Sequence, residues 1–188
     1  MTIQPAGAQV PYTVTWLEMA ARPSYPYPPL PATHPATLLK AEATPRWYFL
    51  SLYDAVGRDY AWEDAHHRDP DEVQAWLDDP AVDLYTLMAH GWPHGFFMLD
   101  ARAGDVCDLA YFGLVPEAVG QGLGAFLLRT AILTAWDRPC IKTVTVNTCT
   151  LDHPRALQTY QRHGFVPVRR QDFLRTLKRP RDLTRIPD

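Results

Sequence analysis

Cysteine is scarce in this chain of 188 residues: only Cys107, Cys140 and Cys149 occur. An odd number with no metal-ligand spacing argues against a disulfide framework and against a cysteine metal site, and fits reduced thiols. Cys107 and Cys140 fall in apolar, strand-like runs and read as small buried hydrophobes. Long hydrophobic runs are also missing. The most apolar stretch, residues 123–136, is shorter than the ~20 residues of a membrane span and is interrupted by Arg129. The first ten residues, MTIQPAGAQV, have neither the basic region nor the apolar run of a signal peptide. No excess of either charge exists, with 18 Lys and Arg against 21 Asp and Glu. That balance gives no support for nucleic acid or an anionic membrane as partner. Seven of the basic residues lie between Arg169 and Arg185, where interleaved acids make a solvated end the simpler reading. His66 and His67 are adjacent and point apart on a helix or strand, so no metal site is expected.

Proline is abundant instead, at 18 residues, and nine of them lie within residues 1–45. The chain divides into a proline-rich leading segment and a body of ordinary composition. Apolar residues at 47% and charged ones at 21% exclude a disordered protein and are enough for one real core. Residues 23–35, PSYPYPPLPATHP, lack the backbone donors needed for a helix or a central strand. A polyproline-like excursion over the surface is expected. A signalling-type PxxP ligand is the sharper alternative.

The pattern elsewhere alternates between two periods. Residues 12–19 read as a first strand. Thr44-Pro45 opens a helix to about Val56. Asp69-Pro70-Asp71-Glu72 opens a second, which ends before Asp79-Pro80. Residues 82–89, 95–101 and 105–115 read as three successive strands, with turns at Gly91-Trp92-Pro93 and 102–104. A nearly uncharged helix spans 122–137 and is buried on most sides. A β-branched strand at 141–147 follows, then a short helix at 152–163 ended by Gly164. Strands at 165–168 and 172–177 complete the chain. The order predicts an α/β fold with a mixed sheet, an antiparallel meander followed by a βαβ crossover over 105–147.

The stretch richest in chemistry is Val119-Gly120-Gln121-Gly122-Leu123-Gly124, between an apolar strand and the buried helix. Alternate glycines leave backbone amides free to converge on an anion at the positive end of the helix dipole. Gly120, Gly122 and Ala125 also satisfy a dinucleotide fingerprint. The next strand, residues 141–147, carries no acid to hold a ribose, which argues against NAD or FAD.

Two motifs together resemble a known family. Residues 110–128, AYFGLVPEAVGQGLGAFLL, are similar to the acetyl-CoA-binding motif of the GNAT superfamily of N-acetyltransferases. Residues 153–165, HPRALQTYQRHGF, resemble its second motif, with Ala156, Tyr160, Gly164 and Phe165 at their places. His153 stands for the usual Asn, Arg162 for the usual Lys, and Val119 for the usual Arg or Gln. The resemblance covers roughly residues 82–177.

It implies a mixed, mostly antiparallel sheet flanked by helices on both faces, with two central strands splayed apart. Acetyl-CoA would be the co-substrate, with no metal. Its pantetheine would pair with backbone near Leu114 and Val115. Its pyrophosphate would rest on the segment Val119, Gly120, Gln121, Gly122, Leu123, Gly124 and Ala125, and Asn147 and His153 would complete the coenzyme contacts. Tyr160 would be the acid for the departing thiolate. Asp108, a carboxylate in an otherwise apolar strand, is the candidate base, with His153 and Asp152 as rivals. Residues 47–62 hold six of the 22 aromatics, and core packing explains most of these rings. Tyr60 and Trp62, past the helix end, are the candidate substrate-binding pair.

The expectation is a single domain over 1–188. Residues 1–45 form the proline-rich leading segment with the first strand, 46–80 the acceptor-side helices, and 82–177 the coenzyme-binding body. The expected activity is cytoplasmic transfer of an acetyl group to a small-molecule amine, by direct attack in a ternary complex. The alternative is a non-catalytic acyl-CoA-binding sensor or partner module. No nucleic-acid or membrane partner is expected, and a homodimer is compatible with the sequence. Residues 23–35 are expected to be an ordered wrap bordering the substrate mouth.

Overall fold

A computed structural model describes residues 3–31 and 35–186. The strands are β1 (Ile3–Gln4), β2 (Gln9–Met19), β3 (Ala36–Lys40), β4 (Val82–Ala89), β5 (Trp92–Asp100), β6 (Val106–Leu114), β7 (Thr143–Cys149), β8 (Val166–Thr176) and β9 (Arg181–Asp182). The α-helices are α1 (Arg46–Gly57), α2 (Asp64–His67), α3 (Pro70–Leu77), α4 (Leu123–Asp137) and α5 (Ala156–Arg162). Seven strands form one sheet in the order β3-β4-β5-β6-β7-β2-β8, and β1 with β9 makes a separate two-stranded ribbon. Every pairing is antiparallel except β6 with β7, the two strands joined by the α4 crossover.

Helices cover both faces, as adjacent residues of β6 demonstrate. A Cβ on Gly113 would strike Val56 of α1, while Leu114 beside it reaches Gly124 of α4. Successive strand residues point to opposite faces, so α1 and α4 lie on opposite sides. The core fills both layers, with Leu17, Phe96, Phe97, Met98, Leu99, Leu127, Leu128 and Val144 fully buried.

Several boundaries differ from the sequence reading. The Trp92-Pro93 turn is strand: the hairpin uses only His90 and Gly91, at φ 52° and 85°, the paired positive angles of a two-residue turn. The two last strands are one strand, β8. It is the sheet edge and exposed over most of its length, so the polar run 169–172 does not interrupt it. The helix expected at 152–163 begins only at Ala156, because the Asp152 carboxylate turns back to the Cys149 amide and the Thr148 hydroxyl. Cys107 is buried as expected, but Cys140 is exposed at a left-handed turn, φ 68°.

The proline segment is ordered, but on the other side of the molecule from the one expected. Arg22 pairs with Asp137 at 2.6 Å, the Tyr27 hydroxyl donates to the same carboxylate at 2.5 Å, and the Arg129 guanidinium lies 4.4 Å over the Tyr25 ring. Both anchoring residues, Asp137 and Arg129, are on α4, so the segment straps that helix rather than the α1 side. Residues 32–34 of the expected wrap lie outside the described residues.

The largest departure from a sequential layout is β2. It runs between β7 and β8, pairing with both, although it precedes them by more than 120 residues. Leu17, fully buried, faces Val146 and Pro167 across the two ladders. Leu17→Ala is expected to cost about 2–5 kcal/mol in urea unfolding. A loss below about 1 kcal/mol would show that β2 is not a core strand.

Candidate active site

The sheet opens at its one parallel junction. β6 and β7 pair only over Val106–Asp108 and Thr143–Thr145. Beyond that, β6 stays with β5 up to Leu114, and β7 stays with β2 up to Cys149. Ala110 is left out of the β5 pairing, a bulge between Leu109 and Tyr111 that adds local twist where the strands part. The Val115 amide donates to the His94 carbonyl at 3.0 Å. By the alternation of an antiparallel ladder, the N–H and C=O of Leu114 and Phe112 then face the gap. Val115 is differently placed from Leu114: its carbonyl also accepts from the Ala118 amide, so both its backbone groups are engaged. Of this pair only Leu114 offers main-chain groups to a molecule in the gap.

At the open end of β6 the chain makes a short 3₁₀ turn, Pro116–Ala118, and enters the glycine loop. Val119 donates its amide to Pro116, and the Gln121 side chain folds back on the Glu117 carbonyl at 2.7 Å. Gly120 and Gly122 stand at φ 84° and 78°, with open space where a Cβ would sit. These glycines are needed for backbone conformation, not for room. Gly122 is the N-cap of α4, so the amides of Leu123, Gly124 and Ala125 are the helix's unpaired donors at the positive dipole end. Leu123 is fully buried and fixes the turn, whereas Gly120, Gln121, Gly122 and Ala125 are exposed.

Tyr160 lies beneath the gap on the α4 side. Its ring meets Phe112 of β6 at 6.2 Å and Phe165 at 5.9 Å. Burial, and then the carboxylates of Asp152 and Asp108, hold its phenol well above the usual tyrosine range. It therefore remains a protonated O–H donor throughout the working pH range. Asp108 marks the closed end of the gap. It sits opposite Thr145 in the last parallel pair, and the Thr145 hydroxyl donates to it at 2.6 Å. Burial raises its pKa, the Thr145 bond opposes that, and nearby Asp100 adds to it.

The α1 side of the gap is crossed by Trp62. Its ring packs on Tyr111 of β6 at 5.5 Å, and its indole N–H donates to Asp152 beyond β7 at 3.0 Å. Tyr60 lies 6.3 Å from His153. Nδ1 of His153 accepts from the Arg155 amide, which leaves the ring proton on Nε2. Burial, and then the Arg155 charge, depress its pKa, which favours the neutral ring. Asn147 is exposed on the face of β7 that pairs with Trp16. Of the rings in 47–62, Phe49 and Tyr53 are buried in the core, Tyr48, Tyr60 and Trp62 are half-buried, and Trp47 is 67% exposed.

The sequence model of the acetyltransferase (GNAT) family matches residues 47–165. The chain belongs to this family. Its structure resembles a GCN5-related N-acetyltransferase from Sphaerobacter thermophilus at TM-score 0.64 and 15% identity, over 96% of this chain and 53% of that one. One from Kribbella flavida gives 0.56 and 20%, over 86% and 56%. A GNAT family acetyltransferase from Elizabethkingia anophelis, solved with acetyl-CoA bound, gives 0.52 and 19%, over 71% and 78%. At these identities the likeness establishes the fold. The chain spans little more than half the length of the first two. No curated protein matches it.

As a GNAT chain it carries two features that sequence reasoning valued wrongly or missed. Asp152, named from sequence only as a rival base, accepts from Trp62, Thr148 and Cys149 and so joins three elements. Tyr111 lies at the centre of the rings of Phe49, Tyr53, Trp62 and Trp76. Among the described residues no group of three His, Cys, Asp or Glu could hold a metal, and no helix is long and apolar enough to cross a membrane.

Asp108 gives a test with a definite sign. A carboxyl whose folded pKa is raised stabilises the fold below its unfolded pKa and loses that contribution as pH rises through the folded value. Asp108→Asn retains an acceptor for Thr145 without the charge. It is expected to raise Tm by about 2–4 °C at pH 8, the size of a ~1 kcal/mol change, and to leave Tm unchanged at pH 4. Thermal melts at the two pH values check this.

Proposed function

We propose that this chain is an acetyl-CoA-dependent N-acetyltransferase acting on a small-molecule primary amine. The observation that carries the reading is one continuous path. The free amides of 122–125 stand at the mouth of the β6–β7 gap, Leu114 offers main-chain groups along it, and Tyr160 lies beneath it. The pyrophosphate would rest on the glycine loop, where helix dipole and unpaired donors favour an anion. The pantetheine amides would pair with Leu114, and the thioester would reach the α1 side near Tyr111.

The chemistry then proceeds by direct attack. An alkylamine has a pKa near 10.4 and must lose a proton before its lone pair can attack the thioester carbonyl. Asp108, with its raised pKa, is the candidate acceptor of that proton, directly or through a water. A main-chain N–H facing the gap would stabilise the oxyanion. Collapse of the tetrahedral intermediate breaks the C–S bond, and the Tyr160 O–H donates to the departing thiolate. Tyr60 and Trp62 would line the acceptor side, and a cytoplasmic setting suits the free thiols. The non-catalytic reading, a module that only binds acyl-CoA, draws support from Val119, whose side chain cannot contact a phosphate.

Two substitutions separate the roles. Gly122→Asp is expected to weaken acetyl-CoA binding by at least about 100-fold in calorimetry, through like charge against the pyrophosphate and the loss of glycine at positive φ. Retained affinity would refute the loop assignment. Tyr160→Phe is expected to lower thiol release with an amine panel by about 100-fold, with coenzyme affinity within about twofold. Coenzyme binding by the parent protein without turnover of any amine would favour the non-catalytic module.

A further inference from the structure

The basic C-terminal segment is not a solvated end. Arg175 donates to the Ala61 carbonyl and, at 2.6 Å, to Asp64. Arg179 donates to the Trp62 carbonyl at 3.2 Å and to Asp54 at 2.6 Å. Arg181 joins the Asp59 carbonyl at 3.0 Å to the Leu151 carbonyl at 2.8 Å. Glu63 returns the contact, its buried carboxylate accepting from the amides of Lys178 and Arg179. Three successive guanidiniums thus take the main-chain carbonyls of Asp59, Ala61 and Trp62, in the segment between α1 and α2. No regular secondary structure would satisfy those carbonyls, since Ala61 is left-handed at φ 58°.

What this fixes is Trp62. Its side chain bridges β6 and the turn after β7 across the gap, and its own carbonyl is held by Arg179. Arg181 ties the segment before Trp62 to that same turn, through the Asp59 and Leu151 carbonyls. We infer that Arg175, Arg179 and Arg181 are positioning residues that hold Trp62 over the α1 side of the gap, and that Trp62 so held keeps water from the thioester until an amine enters. This rests on the coenzyme reading above. The reaction held back is hydrolysis. Water attacks the thioester carbonyl, the C–S bond breaks, the thiolate takes a proton, and acetate and free coenzyme A result.

The test needs no knowledge of the acceptor. Full-length Arg179→Ala, Arg179→Lys and Trp62→Ala are compared with the parent in three measurements. These are amide exchange of residues 57–64, acetyl-CoA affinity by calorimetry, and free-thiol release from acetyl-CoA without amine. Arg179→Ala is expected to speed exchange in 57–64 and to raise thiol release by about tenfold, with acetyl-CoA affinity within about twofold. Arg179→Lys, which keeps the charge and one donor, is expected to restore most of the protection. Trp62→Ala, which leaves the arginines intact, is expected to leak as much as Arg179→Ala. A general loss of stability would not spare affinity while raising hydrolysis. Unchanged exchange in Arg179→Ala overturns the positioning role. Faster exchange with unchanged thiol release overturns the shielding. Should Arg179→Ala fail to fold, Trp62→Ala without a leak overturns the shielding by itself. Failure of the parent to bind acetyl-CoA overturns the coenzyme reading and the shielding with it, and the exchange result then decides the positioning role.

Discussion

The parting of β6 from β7 after three residue pairs is the constraint on which the rest of the molecule depends. A parallel pair held only from Val106 to Asp108 leaves two strands with unpaired edges inside a sheet. Unpaired main-chain groups in an interior are costly, so the arrangement needs compensation on both sides. β6 is secured by its long ladder to β5, and β7 by six pairs to β2. The Thr145–Asp108 hydrogen bond closes the vertex. Along this edge the main-chain groups of Leu114 and Phe112 face the gap and have no strand partner there.

Around that opening, side chains from distant parts of the sequence meet because the sheet alternates. Phe112 faces Tyr160 on one side, while Tyr111 faces Trp62 on the other. The bulge at Ala110 sets which of these residues points where. β1 pairs with β9, and Arg175 of β8 with Arg179 and Arg181 after it holds the segment that carries Tyr60 and Trp62. One wall of the site is thereby a product of residues more than 100 positions apart.

Much of this was legible locally. The glycine loop reads from its own composition, since positive φ at Gly120 and Gly122 demands glycine whatever surrounds it. Asp69-Pro70 opens α3 as expected, with the Asp69 carboxylate accepting from the Asp71 and Glu72 amides. Tyr160 follows from its motif. Other features were not legible. Cys140 and Cys107 each stand next to a β-branched apolar residue, yet one is exposed and the other buried. Arg169 to Arg185 reads as solvated because charge alone does not reveal a carbonyl to bind. The proline segment announced an excursion, but only Asp137 and Arg129 of α4 gave it a direction.

The sequence by itself determined most of the long elements, the family and the positions of the glycine loop and Tyr160, because these depend on periodicity, backbone angles and short spacings; the short pieces β1, β3, α2 and β9 were not legible. Tertiary structure alone decided that β2 lies between β7 and β8, that Leu114 and not Val115 faces the gap, and that Trp62 lies across it. Those outcomes depend on strand order, on which edge of a ladder a residue presents, and on contacts between distant segments, and none of these is encoded within a local window of residues.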